Sequence, residues 1–157
     1  ETKNTVIFCN RKKDIGSLYT DLKRRNISSI IFHGDLLQSK RQEALNEFKN
    51  GNNKILIASD VAGRGIDIEN ISHVINFDLP INPEDYVHRI GRTGRAGKKG
   101  TAITFVLKKD TKYLQEIEKI IKMKIKIFNI NLEEKKIHDY EFDTLYESNQ
   151  IPNFLKR

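Results

Sequence analysis

The sequence predicts an α/β fold in which a mainly parallel sheet is covered by helices on both faces. Short apolar runs rich in β-branched residues alternate with segments whose apolar residues recur at helical spacing. The runs are nearly continuous in apolar residues, which is typical of strands buried on both faces. The chain has 157 residues, a length that suits one domain. We therefore expect three layers, with the sheet in the middle.

The predicted strands are residues 5–9, 29–32, 54–58, 73–77 and 101–107. Each holds four to seven consecutive residues dominated by Val, Ile, Leu, Phe and Thr, which favour extended structure. Four phenylalanines lie in apolar patterns and are assigned to the core: Phe8, Phe32, Phe48 and Phe77.

Helices are predicted between the strands and after the last one. The first carries Ile15, Leu18, Tyr19 and Leu22 on one face and ends before Asn26. A second helix runs from about Gln38, has Ala44, Leu45 and Phe48 as its apolar stripe, and ends at Gly51. A third begins at Pro83, since proline suits the first helical position, and reaches about Ile90. The last spans residues 110–121.

The charge balance favours a polyanionic partner. Lys and Arg number 28 against 21 Asp and Glu, which leaves a formal net charge of +7. Nucleic acid or a nucleotide is the simplest partner for this excess, and general solubility is the alternative.

Composition also indicates the cellular compartment and argues against a zinc site and a membrane span. Cys9 is the only cysteine, so no disulfide forms within the chain, and a reducing, cytoplasmic setting is expected. The four histidines are scattered without the spacing of zinc ligands, and no apolar run suits a membrane span or a leader. The chain starts without methionine, and we interpret it as part of a longer protein.

Polar residues follow the first three predicted strands, where a parallel sheet builds its ligand crevice. These loops hold residues 10–12, 33–35 and 59–67. Gln38 and Arg41 lie on the first turn of a helix and can offer donors to a backbone phosphate. A merely solvated helix face is the alternative for them.

Residues 59–67 read Ser-Asp-Val-Ala-Gly-Arg-Gly-Ile-Asp. Two glycines flank Arg64, so backbone amides and a guanidinium can approach a phosphate together, and Asp67 can accept hydrogen bonds from ribose hydroxyls. The alternative is a tight crossover loop in which Asp60 and Asp67 act as caps.

Residues 88–97 place three arginines three apart and interrupt them with three glycines. Arginine binds phosphate bidentately, and an arginine finger stabilises the charge on a transferred phosphoryl group. A phosphate contact to nucleic acid without catalysis is the alternative. The chain has no Gly-x-x-x-x-Gly-Lys-Ser/Thr and no Asp-Glu-Ala-Asp, so the ATP-binding half of such a site must come from another domain or another chain.

Together these segments resemble the C-terminal RecA-like domain of DEAD-box ATP-dependent RNA helicases, over roughly residues 4–122. Residues 6–10 resemble motif IV, and His33-Gly34-Asp35 with Gln38 and Arg41 resembles the adjoining element. Residues 59–67 resemble motif V, with Ser59 at a usual threonine and Gly63 at a usual alanine or serine. Residues 88–95 match motif VI completely. The amino-acid sequences of motifs IV and V are most similar to those of bacterial RhlE-like members of the family.

The resemblance implies a role for each matching position. Arg92 and Arg95 would be catalytic, reaching the γ-phosphate of an ATP that, with Mg²⁺, is held mainly by an N-terminal RecA-like domain. ATP-binding or interdomain roles fall to Asp67, Arg64, Gly65, His88 and Arg89. RNA-binding roles fall to Asn10, Arg11, Gly34, Asp35, Gln38, Arg41 and Ser59.

The expected organisation is a RecA-like domain over residues 1–125 and an extension of unassigned role over residues 126–157. The expected function is the C-terminal half of an RNA helicase that couples ATP hydrolysis to local unwinding of RNA, largely independent of its sequence. A non-catalytic RNA-binding or chaperone module is the alternative. A free-standing nucleotide-binding regulator is disfavoured because the phosphate-binding loop is missing.

Overall fold

The computed structural model describes residues 4–63, 71–94 and 99–128. The five strands follow one another as predicted, and each is followed by a helix. The strands are β1 (Thr5–Phe8), β2 (Ile30–Phe32), β3 (Ile55–Ala58), β4 (His73–Asn76) and β5 (Thr101–Thr104). The helices are α1 (Lys12–Arg24), α2 (Gln38–Lys49), α3 (Asp60–Gly63), α4 (Pro83–Ile90) and α5 (Thr111–Ile121), with a 3₁₀ turn at Lys108–Asp110.

The strands form one sheet in the order β2-β3-β1-β4-β5. Every pairing between these strands is parallel, and Val6 of β1 lies opposite Leu56 of β3 and Val74 of β4. Because all strands run the same way, the loops after β1, β2, β3 and β4 lie along one edge of the sheet. We call it the carboxyl edge.

Helices cover both faces, which confirms the predicted three-layer α/β/α architecture. On one face α2 contributes Ala44 and Phe48 to a core with Val6, Leu56 and Val74. The same face carries Ala102, which packs with α4 and α5. On the other face Ile15 of α1 packs against Ile57. Burial of these apolar side chains provides the main stabilising free energy of the domain.

Local backbone geometry ends the first two helices where the sequence predicts. Asn26 has a φ of 57°, and the Ile27 N–H donates to the Leu22 carbonyl at 2.9 Å, so the chain leaves α1 in a left-handed turn. Gly51 has a φ of 73° just after α2, a conformation that glycine adopts without strain.

The predicted strands each differ from the structure by one residue, except for the last strand, which differs by three, and the assignment of Phe77 to the core was wrong. β5 ends at Thr104 instead of residue 107, because β4 ends at Asn76 and the last ladder bond runs from the Phe105 N–H to the Asn76 carbonyl at 3.0 Å. Phe77 is 38% exposed rather than a core residue, and it makes an edge-to-face contact with Phe105 at a ring-centroid distance of 6.3 Å. The short helix α3 was not predicted.

Candidate nucleotide and nucleic-acid interface

The carboxyl edge brings the predicted functional loops together. Lys12, at the start of α1 after β1, forms an ion pair with Asp35 in the loop after β2. Between them lies β3, whose end carries Ser59 and Asp60. The described parts of these three loops therefore lie side by side along the carboxyl edge, as the parallel sheet predicts.

At the centre of this edge, α4 inserts the guanidinium of Arg89 among the loops. Arg89 is 1% exposed. Its Nε and Nη2 donate to the two carboxylate oxygens of Asp60 at 2.5 and 2.7 Å. Nη2 also donates to Asn10 Oδ1 at 2.7 Å, and Nη1 donates to the Asp78 carbonyl at 2.7 Å and to Asn76 Oδ1 at 3.4 Å. We call these five residues the Arg89 cluster.

The geometry of the Arg89 cluster explains how a charge is tolerated inside the domain. A buried guanidinium loses its hydration and must find acceptors for its N–H groups. Asp60 supplies a bidentate counter-charge, and the Phe8 ring lies 5.4 Å from the Arg89 Cζ. Arg89 therefore joins α4 to the ends of β1, β3 and β4.

Asn10 belongs to the Arg89 cluster rather than to the exposed part of the edge. Beyond accepting from Arg89, its Nδ2 donates to the Leu79 carbonyl at 2.7 Å. Its backbone N–H donates to Asp78 Oδ2 at 3.2 Å. Its side-chain amide is thus engaged on both sides within the protein, although the resemblance implies an RNA contact at this position.

Arg11, Gly34 and Asp35 lie in the exposed part of the edge. Arg11 precedes α1 and donates through Nε to Asp14 at 2.6 Å, and this hydrogen bond raises the pKa of the Arg11 guanidinium. The hydrogen bond from Lys12 lowers the pKa of the Asp35 carboxyl. A β-carbon placed on Gly34 would meet nothing within 4 Å, so the backbone there is open to a ligand.

Gln38, Arg41 and Ser59 lie at the start of α2 and the end of β3. Arg41 Nη1 donates to Gln38 Oε1 at 3.3 Å, and the Arg41 Cζ lies 5.3 Å from the Phe32 ring. Ser59 is 9% exposed, and its backbone N–H donates to the Phe32 carbonyl at 3.2 Å. Within the described residues, no side chain caps the amino end of α2, so its N–H groups can serve an anion.

The end of α4 presents His88 and Arg92. His88 is exposed, and its carbonyl accepts from Arg92 Nε at 3.3 Å. The following turn is fastened by the Thr93 hydroxyl, which donates to the Ile71 carbonyl at 2.6 Å, and Gly94 adopts a φ of 68°. Arg64, Gly65, Asp67 and Arg95 lie outside the described residues.

Sequence reasoning missed three members of this site. Asp60 was considered only as a helix cap, Asn76 was counted within a strand, and Asp78 was not considered. Asn76 carried a usable signal, since asparagine is depleted in strands yet stands inside an apolar run. It is fully buried and donates through Nδ2 to Thr104 Oγ1 at 3.0 Å.

Two features are absent from the described part of the chain, residues 4–63, 71–94 and 99–128. No group of three or more His, Cys, Asp or Glu residues there is arranged to hold a metal ion. No helix there combines the length and apolar character needed to cross a membrane.

Comparisons with known proteins place the chain in a family. The family model described as the helicase conserved C-terminal domain matches residues 1–97. The ATP-dependent RNA helicase FAL1 of Candida glabrata is 49% identical over 129 residues, which cover 82% of this chain and 32% of the relative. The chain therefore belongs to the helicase conserved C-terminal domain family, as the C-terminal domain of a DEAD-box helicase.

Solved structures agree with this assignment. One similar structure is that of the E. coli DEAD-box protein SrmB bound to regulator of ribonuclease activity A, with a TM-score of 0.77 and 39% sequence identity. The match covers 83% of this chain and 76% of the SrmB chain. Domain 2 of the DEAD-box helicase Mss116p, bound to an RNA duplex, has a TM-score of 0.69 at 32% identity, over 75% of this chain and 47% of its own. The RecA-like fold is confirmed.

The chain spans about a third of the length of the curated relative it matches. The finer resemblance to bacterial RhlE-like helicases stays a prediction.

Proposed function

We propose that this domain binds RNA and that its arginine side chains stabilise the γ-phosphate during ATP hydrolysis in a DEAD-box RNA helicase. The observation that carries the proposal is the Arg89 cluster, which fastens α4 to the loops of the carboxyl edge. Arg92 lies three residues after Arg89, just beyond the end of α4, so the Arg89 cluster connects this phosphate-binding side chain to the predicted RNA surface.

The nucleotide role rests on Arg92 and, by the same motif, on Arg95. Both would stabilise charge on the γ-phosphate of ATP, since a guanidinium stays charged and binds phosphate oxygens bidentately. ATP and Mg²⁺ would be held mainly by an N-terminal RecA-like domain. In support, the end of α4 presents the basic side chains of His88 and Arg89 in its last turn and Arg92 just beyond it. Asp67, Arg64, Gly65 and His88 are proposed for ribose and interdomain contacts.

The RNA role rests on the exposed part of the carboxyl edge. Uncapped N–H groups at the start of α2 and the open backbone at Gly34 suit phosphate oxygens, which carry no sequence information. Ribose 2′-hydroxyls would distinguish RNA from DNA. The Mss116p domain, which is bound to an RNA duplex, supports this use of the fold. The proposed contacts are Arg11, Gly34, Asp35, Gln38, Arg41 and Ser59.

We further infer that the domain ends near residue 125 and that residues 126–157 form an extension. The hydrogen bond from the Ile125 N–H to Glu118 Oε1 at 2.9 Å supports this boundary, because it ties the chain back to α5.

A cytoplasmic location agrees with the single reduced cysteine.

The proposal is tested with the full-length protein by comparing wild type with Arg92→Ala. RNA-stimulated ATP hydrolysis is expected to fall by about a factor of 10³. RNA affinity, measured by fluorescence anisotropy without nucleotide, is expected to stay within about threefold. Arg24→Ala is the matched control, because Arg24 is exposed at the end of α1 and pairs only at the surface with Asp21.

The alternative function gives the opposite pattern. If hydrolysis by Arg92→Ala persists while RNA affinity falls, the arginines only bind phosphate, and the domain is a non-catalytic RNA-binding module. The isolated 157-residue chain is expected to hydrolyse no ATP.

A further inference from the structure

We propose that Asn10 is a positioning residue for Arg92, which rests on the proposed function of Arg92. Asn10 follows β1 and precedes Arg11, so it lies at the junction between the exposed RNA surface and the buried Arg89 cluster. Through this one side chain, the loop after β1 holds both α4 and the segment that leads into it.

Two hydrogen bonds of the Asn10 amide define this joint. Oδ1 accepts from Arg89 Nη2 at 2.7 Å, and Nδ2 donates to the Leu79 carbonyl at 2.7 Å. Leu79 lies between β4 and α4, whereas Arg89 lies in the last turn of α4. Asn10 therefore holds α4 both at the segment before it and near its end.

Arg92 is connected to Arg89 through the backbone at the end of α4. The Arg92 backbone N–H donates to the Arg89 carbonyl at 3.1 Å, and Arg92 Nε donates to the His88 carbonyl. Displacement of the Arg89 side chain would therefore shift the backbone from which Arg92 projects. A shift of about 1 Å at a reacting group is enough to reduce turnover by about a hundredfold.

The other side of Asn10 leads to the surface. Arg11 is the next residue, and Lys12 pairs with Asp35 in the loop after β2. Any adjustment of these loops on RNA binding would be transmitted to Arg89 through Asn10. The joint thus links occupancy of the RNA surface to the placement of Arg92.

The chemistry of asparagine is specific to this position. One short side chain must accept from a guanidinium and also donate to a carbonyl, and an amide does both. Aspartate keeps the acceptor for Arg89 but turns an oxygen toward the Leu79 carbonyl. Alanine removes both bonds and leaves the Arg89 N–H and the Leu79 carbonyl without this partner.

The test measures RNA-stimulated ATP hydrolysis by the full-length protein for Asn10→Ala and Asn10→Asp. At saturating RNA, kcat is expected to fall about tenfold or more for Asn10→Ala and about threefold for Asn10→Asp. The KM for ATP and the affinity for RNA without nucleotide are expected to change by less than about twofold. Asn53→Ala is the matched control, since Asn53 bonds Ser28 at 2.9 Å near the opposite edge of the sheet.

Each other outcome overturns the inference. Unchanged kcat in the two variants would exclude a positioning role, and lost RNA affinity with normal kcat at saturating RNA would make Asn10 an RNA contact. If Asn10→Ala does not fold, the near-isosteric Asn10→Asp decides alone by the same criteria. Arg92→Ala separates the two proposals: if its hydrolysis persists, the proposed function fails, whereas if only the Asn10 variants behave as wild type, this inference alone fails.

Discussion

Gly100 lies against Thr93 so closely that a β-carbon at position 100 would approach the Thr93 hydroxyl and the Gly94 backbone nitrogen to well under 3.0 Å. Thr93 is itself buried, pairs with Ile71 in an isolated parallel bridge, and donates its hydroxyl to the Ile71 carbonyl at 2.6 Å. Thr93 and Gly94, which follow Arg92, therefore lie between Gly100, just before β5, and Ile71, just before β4.

Gly100→Ala is expected to destabilise the domain because the added methyl group must displace backbone atoms of this segment. Such overpacking costs about 1–3 kcal/mol. Urea denaturation of the 157-residue chain measures it. Gly16→Ala is the control, since nothing lies within 4 Å of a β-carbon there and the helix should gain up to about 1 kcal/mol. Equal stability of wild type and Gly100→Ala would contradict the close contact.

Arg89→Lys is expected to lower stability strongly although it keeps the charge. A single ammonium cannot reproduce the bidentate contact with Asp60 and also reach the acceptors at Asn10 and Asp78. Disruption of a buried ion pair costs about 3–5 kcal/mol. Chemical denaturation is again the measurement. Arg24→Lys, at an exposed pair with Asp21, should change stability by less than about 0.5 kcal/mol, and a similar small effect at position 89 would refute a structural role for the cluster.

Cys9 is expected to resist alkylation in the folded protein. Burial raises the pKa of the Cys9 thiol to about 12, and the Asp78 carboxylate adds to the effect. Because the thiolate is the reactive form, iodoacetamide at pH 8 should leave native Cys9 unmodified and modify it rapidly in concentrated urea. Mass spectrometry of intact protein follows the reaction. Equal labelling rates in both conditions would show that the thiol is accessible.

Glu118 is expected to make stability depend on pH. Burial acts to raise its pKa, but the hydrogen bonds from the Lys124 ammonium and the Ile125 N–H outweigh burial and lower the pKa below the usual 4.5. A carboxyl whose pKa is lower in the folded state stabilises the fold above its unfolded pKa, and this contribution disappears as pH falls through the folded value.

Glu118→Gln should therefore be less stable than wild type at pH 7, by about 1 kcal/mol, and the difference should shrink below about pH 4. Urea titrations at pH 7, 5 and 3.5 measure the difference. Glu116→Gln is the control, because Glu116 pairs with Lys119 at the surface and should contribute little. A difference for Glu118→Gln that grows toward low pH would reverse the predicted sign.

Most of the fold could be predicted from the sequence, because strands and helices are indicated by local patterns of residues. Apolar periodicity placed the five strands and four of the helices, and Pro83, Asn26 and Gly51 marked their ends within a few residues. Where strand length depended on a neighbour, local signals failed. The sequence stays apolar through residues 105–107, yet β5 ends at Thr104 because β4 ends at Asn76 and offers no partner beyond it.

For the site, the sequence by itself determined which residue types gather at the carboxyl edge, since loops after parallel strands must meet there. Only the tertiary structure decided which of these residues surround the buried Arg89 and which stay exposed at the surface. Asn10, Asp60 and Asn76 are far apart along the chain, and nothing local shows that they converge on Arg89. The physical reason is desolvation: once α4 packs against the sheet, the buried guanidinium needs acceptors from every strand end within reach.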